Sequence, residues 1–374
     1  MKKASILFLL LFLFCSFLQK ENSERDLFVE KDNIVLVFSG DIMGHSPQFK
    51  AAYNPKTGKY NYDACFQYVK PYIEEADFAV TNLEVPLAGV PYSGYPNFSS
   101  PDALLDGLKS AGYDVILTAN NHVVDRGKAG LERTIKTIKS RDLRHAGSYM
   151  NKQQRDSIYP IILEKHNFRI ALLNCTYGTN GISVISPNLV NMIDTLEIMS
   201  DIKRCEELES NFIIMTIHWG NEYELQASDA QKELAGFLVR SGVDMIVGSH
   251  PHVVQNMEYI QNGIRNVPVY YSLGNSISNQ RKPHTNGGIM LRAEINPITK
   301  SVKTSYMPVF VHKGVLNGKF QFYLVPSIDY IKQPDAFKLA PTDSAAIMFF
   351  DTETRKRLSN TTLWDKSFQT TTLN

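Results

Sequence analysis

Short apolar runs recur along this chain, separated by stretches of helical spacing. Residues 34–38, 78–81, 115–118, 161–163, 169–173, 211–217, 245–247 and 267–273 are hydrophobic runs, the pattern of strands buried on both faces. Between them, residues 62–75, 130–139, 194–209 and 228–241 predict helices; in the first, Phe66, Val69 and Ile73 share one face. A further helix carries Leu104, Leu105 and Leu108, with Asp102 as its expected N-cap and Gly112 closing it. Residues 54–58 read as a turn. Residues 86–101, rich in Gly, Pro, Ser and Tyr, read as a loop over the surface and a candidate cover for a site. This strand–loop–helix alternation predicts an α/β layered core.

After residue 283 the pattern changes. Residues 287–295, 302–311 and 319–325 predict antiparallel strands, residues 342–358 a helix, and the end is polar. The stretch Arg281-Lys282-Pro283-His284 reads as the boundary. The chain thus divides into a leader over 1–25, a main domain over 32–283, and strands plus a tail over 284–374.

The apolar runs end in residues with chemistry. Asp41, with His45 shortly after, follows the first; Asn82-Leu83-Glu84 the second; Asn120-Asn121-His122, with Asp125, the third. Later runs deliver His218-Trp219-Gly220, His250-Pro251-His252 and Gly274-Asn275. Open α/β sheets bind ligands at the carboxyl ends of their strands, so these tips are expected to converge. Carboxylates, an amide oxygen and imidazoles together suit a divalent metal. Asp41, Glu84, His218, His250 and His252 are the candidate ligands, together with an amide oxygen of the Asn120-Asn121 pair, and either carboxylate could bridge two ions. His122 is the candidate proton carrier. Asp125 either holds the other nitrogen of that ring or caps the following helix. His45, Asn120, Trp219, Glu222 and Asn275 are candidate substrate contacts; His45 equally fits the metal, Trp219 the core, Glu222 a solvated surface, and Asn275 loop structure.

Met1-Lys2-Lys3 followed by a nearly unbroken apolar stretch over 4–18 and a polar stretch over 19–26 reads as an export signal, short for a membrane span. Cys15 sits where an acylated cysteine would, although Phe14 before it is large. Lipid anchoring, cleavage and an uncleaved anchor all place the body outside the cytoplasm, with anchoring favoured over free secretion. A net charge of +1 offers no field for nucleic acid. Cys65, Cys175 and Cys205 lack metal-type spacing and are expected to be buried thiols.

Taken in order, Gly40-Asp41-Ile42-Met43, Asn82-Leu83-Glu84, Asn120-Asn121-His122 with Asp125 and Gly127, His218-Trp219-Gly220 with Glu222 and Tyr223, His250-Pro251-His252 with Gln255, and Tyr271-Ser272-Leu273-Gly274-Asn275 with Gln280 resemble the signature of the CapA family. These are bacterial capsule-synthesis proteins associated with poly-γ-glutamate, and the match spans roughly residues 34–281. The resemblance implies a four-layer α-β-β-α sandwich similar to calcineurin-type metallophosphoesterases. In that superfamily Asn121 would be a ligand, His122 the proton donor, and His218, His250 and His252 ligands. Two positions depart from the phosphoesterase pattern. Met43 stands where Asp-x-His would place a histidine, and Glu84 within Asn-Leu-Glu replaces an aspartate. One metal and two therefore both stay open.

The implied activity is that of a metal-dependent envelope hydrolase using Mn, Zn or Fe. Its partners would be an anionic polymer or a phosphorylated intermediate, together with other capsule-synthesis membrane proteins. The alternatives are a non-catalytic pocket that grips a polyanion for export, and a scaffold with vestigial ligands.

Overall fold

The apolar runs are sorted into two sheets in a computed structural model that describes residues 33–316, 318–337 and 339–365. The expected leader lies outside the described residues. Among those described, no helix is long and apolar enough to cross a membrane.

The first sheet begins with β1 (Ile34–Ile42), β2 (Phe78–Leu83), β3 (Val115–Leu117) and β4 (Arg144–Ala146), parallel neighbours in that order. The chain then builds the second sheet from β5 (Ile161–Lys165), β6 (Phe168–Thr176), β7 (Phe212–His218), β8 (Met245–Ser249), β9 (Met257–Asn262) and β10 (Arg265–Tyr270). Its order is β9-β10-β8-β7-β6-β5. β5 and β6 form a hairpin turned by His166 and Asn167, both at positive φ, as a two-residue primed turn demands. The chain finally returns to the first sheet with β11 (Asn275–Ile277), β12 (Gly287–Ile295), β13 (Val302–Leu316) and β14 (Lys319–Pro326). β12 pairs antiparallel with β1, giving the order β14-β13-β12-β1-β2-β3-β4, with β11 on the tip of β1.

Strand alternation divides the core. Leu36, Phe38, Val80, Val115 and Leu117 belong to one cluster with Ile170, Leu172 and Ile214 of the second sheet. Their neighbours Val37, Ala79 and Ile116 pack on the other side with Phe66, Leu104, Leu105 and Leu108. The fold is therefore an α/β sandwich of two sheets with helices outside: the layering is what the sequence pattern predicts, and the sandwich what the resemblance implies.

Three expectations need correction. The helix over 62–75 is two short pieces, Asp63–Phe66 and Lys70–Ile73, because Pro71 lacks the N–H that a continuous helix would bond back. Asp102 precedes the helix Ala103–Ala111 without a side-chain cap bond. Its carboxylate instead takes both guanidinium nitrogens of Arg133, at 2.7 and 2.8 Å. β4 and β9 were not expected as separate strands. Each is short or alternates weakly and is defined by its partners.

Gly40 decides where the tip of β1 points. The pairing of β1 with β2 slips between Ser39 and Asp41, so Gly40 is a bulge that re-aims Asp41. A Cβ there would lie 1.9 Å from the carbonyl oxygen of Gly274, at the crossing between the sheets. Gly40→Ala is expected to cost about 3 kcal/mol, because backbone must move. Urea unfolding checks this; a change below about 0.5 kcal/mol would contradict the tight crossing.

Candidate metal centre

The carboxyl ends of the parallel strands in both sheets meet at one place. From the first sheet come Asp41 at the tip of β1, Glu84 just past β2, and Asn120 to Asp125 after β3. From the second come His218 at the end of β7 and His250 and His252 in the turn after β8. Asp41, Glu84, Asn121, His218, His250 and His252 are all buried.

Glu84 is the hinge of the arrangement. One set of ligand atoms, from Glu84, His218 and His250, lies within 4.8 Å of one another, and a second set joins Asp41, Glu84 and His252. Glu84 Oε1 is 3.4 Å from His218 Nε2 and 3.7 Å from His252 Nε2. Asn121 Oδ1 approaches His218 Nε2 at 2.8 Å. Asp41 Oδ2 is 3.4 Å from His252 Nδ1 and accepts the backbone N–H of His250 at 3.2 Å. Neighbouring ligands held about 2.1 Å from one ion sit roughly 3–3.5 Å apart; the Glu84–His218 spacing falls in that range, and the Asn121–His218 and Glu84–His252 spacings lie just to either side of it.

The polar bookkeeping fits as well. Both Glu84 oxygens and His250 Nδ1 are buried without a hydrogen-bond partner among the described residues. Buried polar atoms are normally paired, and an unmet carboxylate is costly. Burial first, and then the Asp41 charge, pushes Glu84 well above the usual carboxylate range. Burial, helped by the neighbouring histidines, drives His218 well down and His250 down to about 4, so both rings are neutral and able to ligate. The backbone at His250 (φ 99°) and His252 (φ 59°) is left-handed, a strain of the kind that collects at functional sites.

Supporting groups fix the donors. Asn82 Nδ2 donates to Asp41 Oδ1 at 2.8 Å, and Ser249 Oγ meets His218 Nδ1 at 2.9 Å. His122 Nδ1 lies 2.8 Å from Asp125 Oδ2, which also accepts the N–H of Phe98 at 2.8 Å. Of the two roles open to Asp125, the structure shows the first. The next helix, Gly127–Lys139, has no side-chain cap bond at Arg126. The loop over 86–101 covers the site as expected: Phe98 meets the His122 ring edge-on at 4.7 Å and His45 at 5.4 Å.

Three residues expected to contact substrate have their polar groups bonded within the protein. Trp219 is buried, donates Nε1–H to the Tyr271 carbonyl at 2.8 Å and stacks on that ring, so it fills the core. The Asn120 amide is used up by Leu83 O and Asn82 Oδ1, and its oxygen takes the His122 N–H. Asn275 is buried with Oδ1 3.1 Å from His252 Nδ1, supporting that ring from behind. His45 is half-buried at the mouth, where burial lowers it to about 4, and Glu222 is exposed there.

Sequence reasoning gave no role to Asn82, Ser249, Phe98 or Tyr177. Tyr177 follows β6 directly, so the strand-tip rule could have found it; its ring lies 4.5 Å from His250 and stacks on His218 at 6.2 Å. A cavity of about 850 Å³ beside Arg155 and Asp201 lies away from these donors, and those two residues pair with each other.

Comparison with known proteins adds a family. A family model described as "Bacterial capsule synthesis protein PGA_cap" matches residues 35–280. The chain is 29% identical over 263 residues to the capsule biosynthesis protein CapA of Bacillus anthracis, covering 67% of this chain and 61% of that protein. It is 27% identical to the PGA biosynthesis protein CapA of Bacillus subtilis, covering 67% and 66%. The chain thus spans just under two thirds of these relatives. Among solved structures, the NAD nucleotidase of Haemophilus influenzae aligns with a TM-score of 0.49 at 11% identity, covering 87% of this chain and 60% of that one.

Proposed function

Because the chain belongs to the bacterial capsule synthesis protein family PGA_cap, we propose that its buried carboxylate–imidazole pocket is the divalent-metal centre of a cell-envelope hydrolase that acts on a phosphoryl or carboxyl group during capsule-polymer synthesis. The observation that carries this reading is Glu84, a fully buried carboxylate without a hydrogen-bond partner among the described residues, shared by two sets of ligand atoms.

Asp41, Glu84 and His252 would hold one ion, and Glu84, Asn121, His218 and His250 a second. Such a cation supplies Lewis acidity when bound: it polarises the substrate oxygen and makes water acidic enough to attack near neutral pH. The residues do the rest. Asn82 keeps Asp41 aimed inward, and Asn275 fixes the His252 ring. Asp125 holds Nδ1 of His122, which leaves Nε2 to pass a proton to the leaving group. Phe98 packs against that ring and limits water beside it.

The substrate would be an anionic polymer or a phosphorylated intermediate, and the partners other capsule-synthesis membrane proteins. Mn, Zn and Fe all suit the mixed donor set. The test is hydrolysis of an aryl phosphate and of polymer substrates by purified protein. Chelation is expected to abolish turnover and added Mn²⁺ or Zn²⁺ to restore it. Turnover indifferent to chelation, or metal binding without any turnover, would reject the hydrolase reading.

A further inference from the structure

Beside His252 the rim of the site carries a cation with no carboxylate partner among the described residues. The Lys282 ammonium lies 3.7 Å from the centre of the Tyr223 ring, and that ring is 6.3 Å from the ring of His252. No carboxylate among the described residues is within salt-bridge reach of Lys282, and its side chain is exposed. A cation held over an aromatic face keeps its charge available to a ligand.

Its position is built rather than loose. The Lys282 carbonyl accepts both the N–H and the hydroxyl of Thr285, at 3.1 and 2.9 Å. Asn275, which supports His252, lies with Nδ2 2.9 Å from Gln280 Oε1 and 2.8 Å from the Thr285 carbonyl. One buried amide thus ties a candidate ligand to both flanks of the segment bearing Lys282. Tyr223 is fastened from the other side: its N–H donates to Pro251 O, inside the His250–His252 turn, and its backbone sits at φ 70°. The opposite charge stands close by, with the exposed Glu222 carboxylate beside the Tyr223 hydroxyl. The rim therefore carries Lys282 beside Glu222, with the charge of its neighbour Arg281 bearing on His45.

We propose that Lys282, positioned by Tyr223, is a specificity residue that takes a second anionic group of the substrate, distal to the group held at the metal donors. The substrate class is a compact molecule or chain end with two separated anionic groups, the distal one a carboxylate or a phosphoryl group. This inference rests on the metal-centre reading above.

The experiment is calorimetric binding of three probes to the full chain loaded with Mn²⁺: phenylphosphonate, its para-carboxy derivative and its para-phosphono derivative. Wild type is expected to bind at least one of the doubly anionic probes tenfold or more tighter than phenylphosphonate, roughly the worth of one charged hydrogen bond. Which of the two gains more identifies the distal group. Lys282→Met is expected to bring that ratio to about one, Lys282→Arg to keep most of it, and Tyr223→Leu to lower it while Tyr223→Phe does not. Equal affinities in wild type, or a preference that survives Lys282→Met, overturn the inference and leave the metal centre standing. Failure of phenylphosphonate itself to bind the loaded chain rejects the metal-centre reading, and this inference with it.

Discussion

Glu84→Gln is expected to strip the protein of retained divalent metal and, at the same time, to stabilise the metal-free chain. Glu84 is the shared member of both sets of ligand atoms, so losing its charge weakens each of them. Removing one oxygen ligand from a small divalent site is expected to lower affinity by a hundredfold or more, beyond the 10–100-fold that supporting groups typically contribute. The stabilisation has the opposite origin. Both Glu84 oxygens are buried without hydrogen bonds from the described residues, next to the Asp41 carboxylate, so in metal-free protein the charge is a net cost. A neutral amide of the same shape is expected to recover on the order of 1–3 kcal/mol.

The pH dependence follows from the direction of the shift. The folded-state pKa of Glu84 is raised, so the folded chain holds this proton at pH values where the unfolded chain has released it. The stability of metal-free wild type therefore falls as pH rises above the ordinary glutamate range, about 4.3. The advantage of Glu84→Gln should be small at pH 4.5 and large at pH 8. Denaturant melts of chelated protein at the two pH values, with metal analysis of the same samples, check both halves. Full metal retention by Glu84→Gln, or a metal-free variant less stable than wild type at pH 8, would contradict this account of Glu84.

The second large effect is expected at His122, and it should be confined to turnover. Its ring is in neither set of ligand atoms, while Asp125 fixes Nδ1 at 2.8 Å. His122→Ala is expected to reduce the hydrolytic rate by about 10²–10⁴ with metal content unchanged. Added imidazole should restore part of the rate by occupying the space between Phe98 and Asp125. Asp125→Asn should cost less, because the ring stays while its orientation loosens. Steady-state kinetics alongside metal analysis separates the outcomes. Loss of metal in His122→Ala would make the ring a support for the centre, and an unchanged rate would remove it from the chemistry.

Much of this was legible in the chain because strand tips are marked twice, by the end of an apolar run and by the residue type that follows. Asp41, Glu84, His218, His250 and His252 all carry both marks, and the structure brings them together. The misplaced residues share a physical reason. Trp219 looks like a site wall because it adjoins His218, but successive side chains of extended chain alternate, so the residue after an inward histidine faces the core. Asn120 and Asn275 look like substrate contacts because amides often are. Whether an amide is already saturated depends on Leu83, Asn82, Gln280 and Thr285, which no local pattern places.

Register was the other hidden quantity. Asn82 holds Asp41 only because β1 and β2 pair with Asp41 opposite Asn82, one step past the bulge at Gly40. The sharing of Glu84 between two sets of donors likewise needed the second sheet to be docked on the first. The helix over 62–75 failed for a more readable reason, since Pro71 was visible throughout.

Anomalous diffraction from crystals of the protein equilibrated with Mn²⁺ tests the metal centre most directly. The account predicts strong peaks between Glu84, His218 and His250 and between Asp41, Glu84 and His252, each within bonding distance of at least three of those side chains. Density at surface carboxylates alone, with Glu84 left unligated, would contradict it.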